Sequence, residues 1–521
     1  MILCKGCRTD SLSYLIRVNR RSIHSCIRFT LWAGLLLILF PAQARDAFDF
    51  SAPLQAAYSD IQKLRIGAAA TLLKAERKKE TGNGFIPYLE SYADFFYYLV
   101  TDDQKSYNQH FAKKQDARLQ EIAALSDKSP YQRMLMAEVR LHSAFVKLKF
   151  GNRTSGGWDI IRANRLLSEN ARLFPDFVPH LKTLGLLHVM IGSVPEEYQW
   201  VARLMGLRGD IALGLKELAE VEKKSPVFAR EARVVSLLLK AYMLSPDEFP
   251  LPELRELPYR EPDNLLFHFL SASVLMKRGE SRSAQEILDK APLGGSYLDF
   301  PFLHYMKAEL ALYAARYTDA QTGFQYFIDH SQGINFVKDA LFKQFLSQWL
   351  KQGEISKELL DKIVSTGAQN VEADKHAQRM AERFLRGEIS GEQRILFKAR
   401  YAFDGGYLTD AENLLRPQHE SSFAHLHSRI EYNYRMGRIL QQQHKWKEAI
   451  PFLTRAVTLN QGYDYYYGPS AALQLGYIYQ DLGQPDQAVT WFEKALSFKK
   501  HEYKNSIDNK ARAALTRIRG K

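Results

Sequence analysis

The chain has 521 residues, of which 46% are hydrophobic and 12% aromatic, and it carries a formal net charge of +13. This length exceeds that of one compact domain, and the hydrophobic content excludes a broadly disordered chain, so several domains or an array of repeats are expected. The positive charge is modest for the length and forms no long basic run. The composition therefore does not indicate a nucleic-acid partner.

The first 44 residues have the three-part pattern of a secretory signal peptide. A basic segment precedes the apolar run 29–40, and Ala42 and Ala44 occupy positions −3 and −1 of a cleavage site. As a helix, this run is about 18 Å long, which is short of the ~30 Å hydrocarbon core of a bilayer. We expect cleavage after residue 44, an exported protein that is either retained in the periplasm or cell envelope or secreted, and no stable membrane insertion afterwards. Cleavage lowers the net charge to about +8.

All three cysteines, Cys4, Cys7 and Cys26, precede the predicted cleavage site. The mature chain is therefore expected to lack disulfides, thiol catalysis and cysteine-ligated metals. Cys26 lies before the apolar run and cannot serve as the lipid-modified cysteine of a bacterial lipoprotein. The absence of cysteine from an exported chain of this size indicates a protein of a bacterial envelope rather than one of a eukaryotic secretory route.

From residue 45 onward, apolar residues recur at spacings of three and four, which predicts helices almost throughout. Residues 45–245 form an N-terminal helical region in this interpretation. Within it, the stretches 151–158 and 191–200 are predicted to be irregular loops. Five prolines between residues 246 and 262 predict an ordered connection. Residues 263–521 follow as the C-terminal region.

The C-terminal region contains two segments, 430–462 and 469–502, with small and large residues at matching positions. Small side chains allow two helix backbones to approach, and large ones fill the remaining space. The positions are Gly437, Ala449 and Ala456 in the first segment, and Gly476, Tyr479, Ala488, Phe492 and Ala495 in the second. Between the two helices of the second segment, Gly483 is expected to end one helix and Pro485 to begin the next.

This spacing resembles the tetratricopeptide repeat, a helix–turn–helix unit of 34 residues. Weaker copies occur around 272–291, 308–324 and 399–415, and the helices of 45–245 are of a similar type. The resemblance implies an all-α fold, a right-handed α-solenoid of antiparallel helix hairpins. It also implies a non-catalytic scaffold with protein or peptide partners, and neither a cofactor nor a metal.

By the same resemblance, the first helix of each hairpin lines a concave groove that binds the partner. The family's groove positions carry over to Tyr434, Arg438 and Gln441 in one unit, and to Leu473, Tyr477 and Gln480 in the next. Arg438 is suited to clamp a carboxylate through paired hydrogen bonds. The alternatives are a solvated inner surface or a groove filled by a neighbouring helix of the same chain.

An enzyme is the alternative function. No catalytic motif of known spacing occurs, but Asp159, Glu196 and Glu197 lie near tryptophans in the two predicted loops. Carboxylates beside aromatic rings suit an envelope enzyme that acts on glycan or cell-wall material. A surface-bound nutrient-uptake component is a third interpretation, but proteins of that kind are usually lipid-anchored, and this chain lacks the cysteine.

A metal site is not predicted either. Three histidines, His419, His425 and His427, lie close together in the sequence. The closest two, His425 and His427, are two residues apart, and that spacing does not place side chains on one face of a helix.

Overall fold

Helices make up all the regular secondary structure in the part of the chain that the structure describes. The structure is a computed structural model, and it describes residues 47–79, 82–194, 205–243 and 250–520. The predicted signal peptide, 1–44, lies outside these residues, as does most of the second predicted loop, 195–200. All helices named below belong to one unit, residues 50–521.

The helices of the N-terminal half follow one another with short connections. They are α1 (Ala52–Gln62), α2 (Ile66–Lys79), α3 (Phe85–Thr101), α4 (Ala112–Ala123), α5 (Pro130–Lys149), α6 (Arg153–Leu173), α7 (Leu181–Gly192), α8 (Ile211–Lys224), α9 (Ala229–Met243) and α10 (Leu251–Arg260). A short helix, Gln104–Ser106, and one π-helical turn, Tyr107–Phe111, lead into α4, and a 3-10 turn, Val178–His180, leads into α7.

The remaining helices continue in the same way to the C-terminus. They are α11 (Leu265–Lys277), α12 (Ser281–Asp289), α13 (Phe302–Tyr313), α14 (Tyr317–His330), α15 (Val337–Gln352), α16 (Lys357–Ser365), α17 (Glu372–Leu385), α18 (Arg394–Asp404), α19 (Leu408–Leu415), α20 (Leu426–Gln442), α21 (Trp446–Leu459), α22 (Tyr467–Asp481), α23 (Pro485–Leu496) and α24 (Lys504–Arg519). Short 3-10 turns precede α18 and α20.

Neighbouring helices pack in pairs, and the most extensive pairs are α5 with α6, α20 with α21, α22 with α23, and α7 with α8. In the first three of these pairs a short turn joins the two helices, which therefore run antiparallel. The predicted all-α solenoid of antiparallel helix hairpins is thus confirmed. Gly483 lies in the left-handed region at φ +69° after α22, and Pro485 begins α23, as their positions predict.

Glycines permit the closest contacts between paired helices. A Cβ on Gly437 of α20 would lie 2.6 Å from Leu453 Cγ, and one on Gly476 of α22 would lie 2.4 Å from Phe492 Cε1. In the N-terminal half, Gly185 of α7 and Gly214 of α8 meet in the same way, since a Cβ on Gly214 would lie 2.5 Å from the Gly185 carbonyl oxygen. Side chains at these positions would push the helices apart.

The repeat positions of the C-terminal region lie in one buried core. Ala449, Ala456, Ala488, Phe492 and Ala495 are fully buried. Leucines and isoleucines from α20 to α24 surround them and continue the same cluster. Tyr479 is half-buried at its edge.

The predicted loop at 151–158 is wrong, because α6 already begins at Arg153. One of its glycines, Gly156, serves helix packing rather than a loop. A Cβ on Gly156 would lie 3.0 Å from the carbonyl oxygen of Ala144 in α5, so this glycine lets α5 and α6 come close. Trp158 stands on the helix surface and is 53% exposed.

Helices at the start of the unit contact helices in its middle. Lys63 Nζ lies 2.6 Å from Asp263 Oδ2, and the Leu298 backbone N–H donates to the Leu64 carbonyl at 2.8 Å. Asn335 Nδ2 donates to Asp102 at 3.0 Å. The array therefore turns back on itself between residue 102 and residue 335.

The proline-rich stretch contributes a helix, α10, whose Leu254 packs with Leu237, Ala241 and Val274. The division into two halves at 246–262 stays a prediction. Among the described helices, none combines the length and the apolar composition needed to cross a bilayer.

Candidate partner-binding groove

The predicted groove residues lie on two adjacent helices. Tyr434, Arg438 and Gln441 belong to α20, and Leu473, Tyr477 and Gln480 to α22. The first helix of the preceding pair, α18, packs beside α20. We call the face formed by α18 and α20 the Arg438 face.

Arg438 is held by neutral partners. Its Nη1 donates to the side-chain oxygens of Gln441 and Gln474, the latter at 2.6 Å. Its guanidinium carbon lies 5.5 Å from the centre of the Phe403 ring. Amide oxygens and an aromatic face position the guanidinium without cancelling its charge. A carboxylate can replace the two amides with stronger, charge-assisted hydrogen bonds.

Two neighbouring arginines already have carboxylate partners. Arg435 is 9% exposed, and its Nε donates to Glu431 Oε1 at 2.6 Å. Burial alone would raise the pKa of Glu431, but Arg435 and His427 lower it overall, so this carboxylate is ionised. Arg400 Nε lies 3.6 Å from Asp404 Oδ2. Arg438 therefore differs from both neighbours in having amide partners.

Tyrosines border Arg438 toward the N-terminal end of α20. The Tyr434 ring lies 5.4 Å from that of Tyr467 and 6.1 Å from that of Tyr466. Burial raises the pKa of Tyr466 to about 12, so its hydroxyl stays protonated at neutral pH. This cluster offers an aromatic surface with hydroxyl groups, which suits contact with a peptide.

The positions on α22 have a different environment. Leu473 is 3% exposed and belongs to the same core as Ile507 and Ala511 of α24. The Tyr477 ring packs 5.3 Å from Phe492, and Gln480 is exposed. Since α24 packs on α22, a neighbouring helix of the same chain covers this part of the predicted groove. Leu473 offers almost no surface to a partner, whereas Gln480 on α22 is exposed and the predicted positions on α20 are half-buried.

Sequence reasoning missed the groups that hold Arg438. Gln474 and Phe403 lie on the two helices that flank α20. Arg400 follows Ala399 as Arg438 follows Gly437, so the repeat alignment itself could have identified Arg400 as the equivalent groove position. No pattern in the sequence indicates that Gln474 contacts Arg438.

The carboxylates that were predicted for a glycan-active enzyme do not form an active site in the described part of the chain. Asp159 is 4% exposed, and its Oδ2 accepts from Lys147 Nζ at 2.7 Å and from Ser143 Oγ at 2.9 Å. These bonds tie α6 to α5 and leave Asp159 without access to a substrate. Glu196 and Glu197 lie outside the described residues. Within the described ranges, no group of three or more acidic, histidine or cysteine side chains could hold a metal ion.

Comparisons with known proteins agree with the C-terminal hairpins. Residues 428–501 match the family model described as tetratricopeptide repeat. Among solved structures, the chain is similar to the crystal structure of the P58(IPK) TPR domain, with 15% identity over 82% of this chain and 97% of that chain, at a TM-score of 0.22. No curated protein sequence matches the chain. The assignment of repeats therefore depends on the family match and on the packing of α20 to α23.

Proposed function

Because residues 428–501 are tetratricopeptide repeats, we propose that the protein is a non-catalytic scaffold that binds a protein or peptide partner through the Arg438 face. Repeats of this type offer extended concave surfaces for interaction. The recognised group is a carboxylate, either an acidic side chain or a chain terminus. The single observation that carries the proposal is the placement of Arg438 between two glutamine oxygens and an aromatic ring.

The proposal includes export to the periplasm or cell envelope. Its support is the order of basic, apolar and small residues before residue 45, together with the restriction of all cysteines to this segment. The partner is then a protein of the same compartment.

The test is a pull-down from a bacterial envelope extract with the mature chain, residues 45–521, followed by mass spectrometry. Arg438→Glu should remove the captured partner, because the new carboxylate repels the partner's own. The matched control is Arg455→Glu, since Arg455 lies on α21, is half-exposed and pairs with Glu420 at 2.8 Å. The control should retain the partner.

Higher salt should also weaken capture, because the contact is between charges near the surface. A partner that both variants retain, or that both lose, would overturn the role of the Arg438 face. Recovery of glycan and its turnover by the wild-type chain would instead support the enzyme.

A further inference from the structure

The turn of the array between residues 102 and 335 forms a partly open cavity of about 580 Å³. Helices α3, α5, α7, α9, α11 and α13 and the segment before α15 contribute to its wall. Well-packed interiors contain few voids larger than a water molecule. A volume of this size falls in the range of pockets for small ligands, about 300 to 1,000 Å³. The cavity is separate from the Arg438 face.

The long wall of the cavity is apolar. Phe95, Phe96, Leu99 and Val100 of α3 line it between Tyr92 and Thr101. Nine residues of helix rise correspond to about 14 Å. Further phenylalanines line the cavity from α11, α13 and α14, namely Phe267, Phe269, Phe302 and Phe327. A space of this kind favours a hydrocarbon body over water.

The charged groups of the wall are already paired. Lys182 Nζ lies 3.2 Å from Glu138 and 2.9 Å from Glu231, and Lys149 Nζ lies 3.4 Å from Asp102. The remaining cation in the wall, Arg230, pairs with Glu261. An ionised ligand would have to break one of these pairs or remain without a counterion in an apolar space, and both are costly. The wall therefore selects against a charged head group.

The amide beside the Lys149–Asp102 pair is also engaged within the protein. Asn335 is 7% exposed, and its Nδ2 donates to both oxygens of Asp102, at 3.2 and 3.0 Å. This contact stabilises the wall at the end of α3.

We propose that this cavity binds an uncharged molecule with a hydrocarbon body of about 14 Å. The body lies along the Phe95–Val100 wall of α3. Long-chain alcohols and amides have this chemistry.

The first test compares three probes of equal chain length on the mature protein by equilibrium dialysis: 1-decanol, decanoate and decyltrimethylammonium. The alcohol should bind. The two ions should bind at least about tenfold more weakly than the alcohol, because each brings an unpaired charge into the cavity. Equal binding of all three, tighter binding of either ion, or no binding of the alcohol would overturn the proposal.

The second test fills the cavity. Val235 of α9 and Leu270 of α11 line it and are only half-buried, so an added ring enters empty space rather than the packed core. Val235→Trp and Leu270→Trp should each abolish decanol binding while the circular-dichroism spectrum stays helical. The control is Val227→Trp, since Val227 is 38% exposed and does not line the cavity. Unchanged binding in both filled variants would place the ligand elsewhere and refute the assignment.

A third experiment separates this inference from the proposed function. Arg438→Glu should leave the binding of 1-decanol unchanged, because Arg438 does not line the cavity. Failure of this inference and failure of the proposed function are therefore distinguishable.

Discussion

Several buried charged side chains of this protein lie beside a partner of opposite charge. Lys182 lies between Glu138 and Glu231, Arg435 beside Glu431, and Asp159 beside Lys147. Pairing of this kind prevents the large penalty of an isolated buried ion. Arg438 differs because its partners are amides, and for that reason it is the residue on which the proposed recognition depends.

Histidine 180 makes the stability depend on pH. His180 is 1% exposed, and burial lowers its pKa from 6.5 to about 4. Below pH 6.5 the unfolded chain binds a proton at this residue while the folded chain does not. The stabilisation of the folded state by neutral His180 is therefore fully present above pH 6.5, and it is lost as the pH falls toward 4. The free energy of unfolding should decrease over this interval by up to about 3 kcal/mol.

Urea unfolding at several pH values between 7 and 4 measures this dependence. His180→Gln should make the curve less steep because it removes one of the histidines whose pKa is lowered by burial, while others such as His376 remain. His110→Gln is the control, since His110 is exposed, and its curve should follow that of the wild type. A curve for His180→Gln as steep as that of the wild type would contradict the assignment.

At the scale of helices, close crossings depend on small residues. Gly437 meets Leu453 where α20 crosses α21, and Gly476 meets Phe492 where α22 crosses α23. At each crossing the two helix backbones are so close that a side chain larger than that of glycine would overlap the partner helix. The geometry of each hairpin is therefore set by one or two positions.

Gly437→Ala should destabilise the protein by about 1 to 3 kcal/mol, because the new methyl group overlaps Leu453 and lies near its backbone nitrogen. The control is Gly157→Ala in α6, where a Cβ meets nothing within 4 Å. In a helix interior without a steric conflict, alanine should stabilise by up to about 1 kcal/mol. Thermal unfolding of the two variants should move in opposite directions, and a shift in the same direction would contradict this account.

The repeats themselves could be predicted from the sequence because their contacts are local. Gly476, Ala488 and Ala495 fall within one hairpin, and Gly483 and Pro485 mark its turn. Glycines 156 and 157 misled the prediction, since glycine is typical of loops, and the helix packing that Gly156 serves is a tertiary contact. The burial of Leu473 also depends on a tertiary contact, because α24, which packs on α22, lies outside the matched repeats.

Contacts between distant residues could not be predicted. Asp102 and Asn335 are 233 residues apart, and no periodicity links them. The cavity depends on this contact and on the packing of α3 near α11 and α13. The many aromatic residues between 88 and 100 are typical of a buried helix, but they do not indicate that one face of this helix borders an open space.

At the scale of the whole unit, the closure between residues 102 and 335 connects the first helices to the middle of the array. Gly333 lies at this contact, where a Cβ would come within 2.1 Å of Asp102 Oδ2. Phe336, close by, has φ +63° and donates its backbone N–H to Asp374 at 2.8 Å. The segment 331–336 is thus fixed between α3 and α17.

Gly333→Ala should loosen this closure, because the methyl group cannot fit against Asp102. Hydrogen exchange should increase at the end of α3 and at the start of α15, while α20 to α23 keep their protection. Gly391→Ala is the control, since a Cβ there meets nothing within 4 Å, and it should leave all segments unchanged. Faster exchange spread evenly over the chain, or none at α3, would contradict a local closure.

The contact between Asp102 and Asn335 also constrains the order in which the chain can fold. Hairpins such as α5–α6 can form as soon as their own residues are available, whereas α3 must wait for a segment 233 residues further on. Joining such distant segments costs more loop entropy and takes longer than forming local pairs. We therefore expect the cavity wall on α3 to be completed later in folding than the contacts inside each hairpin.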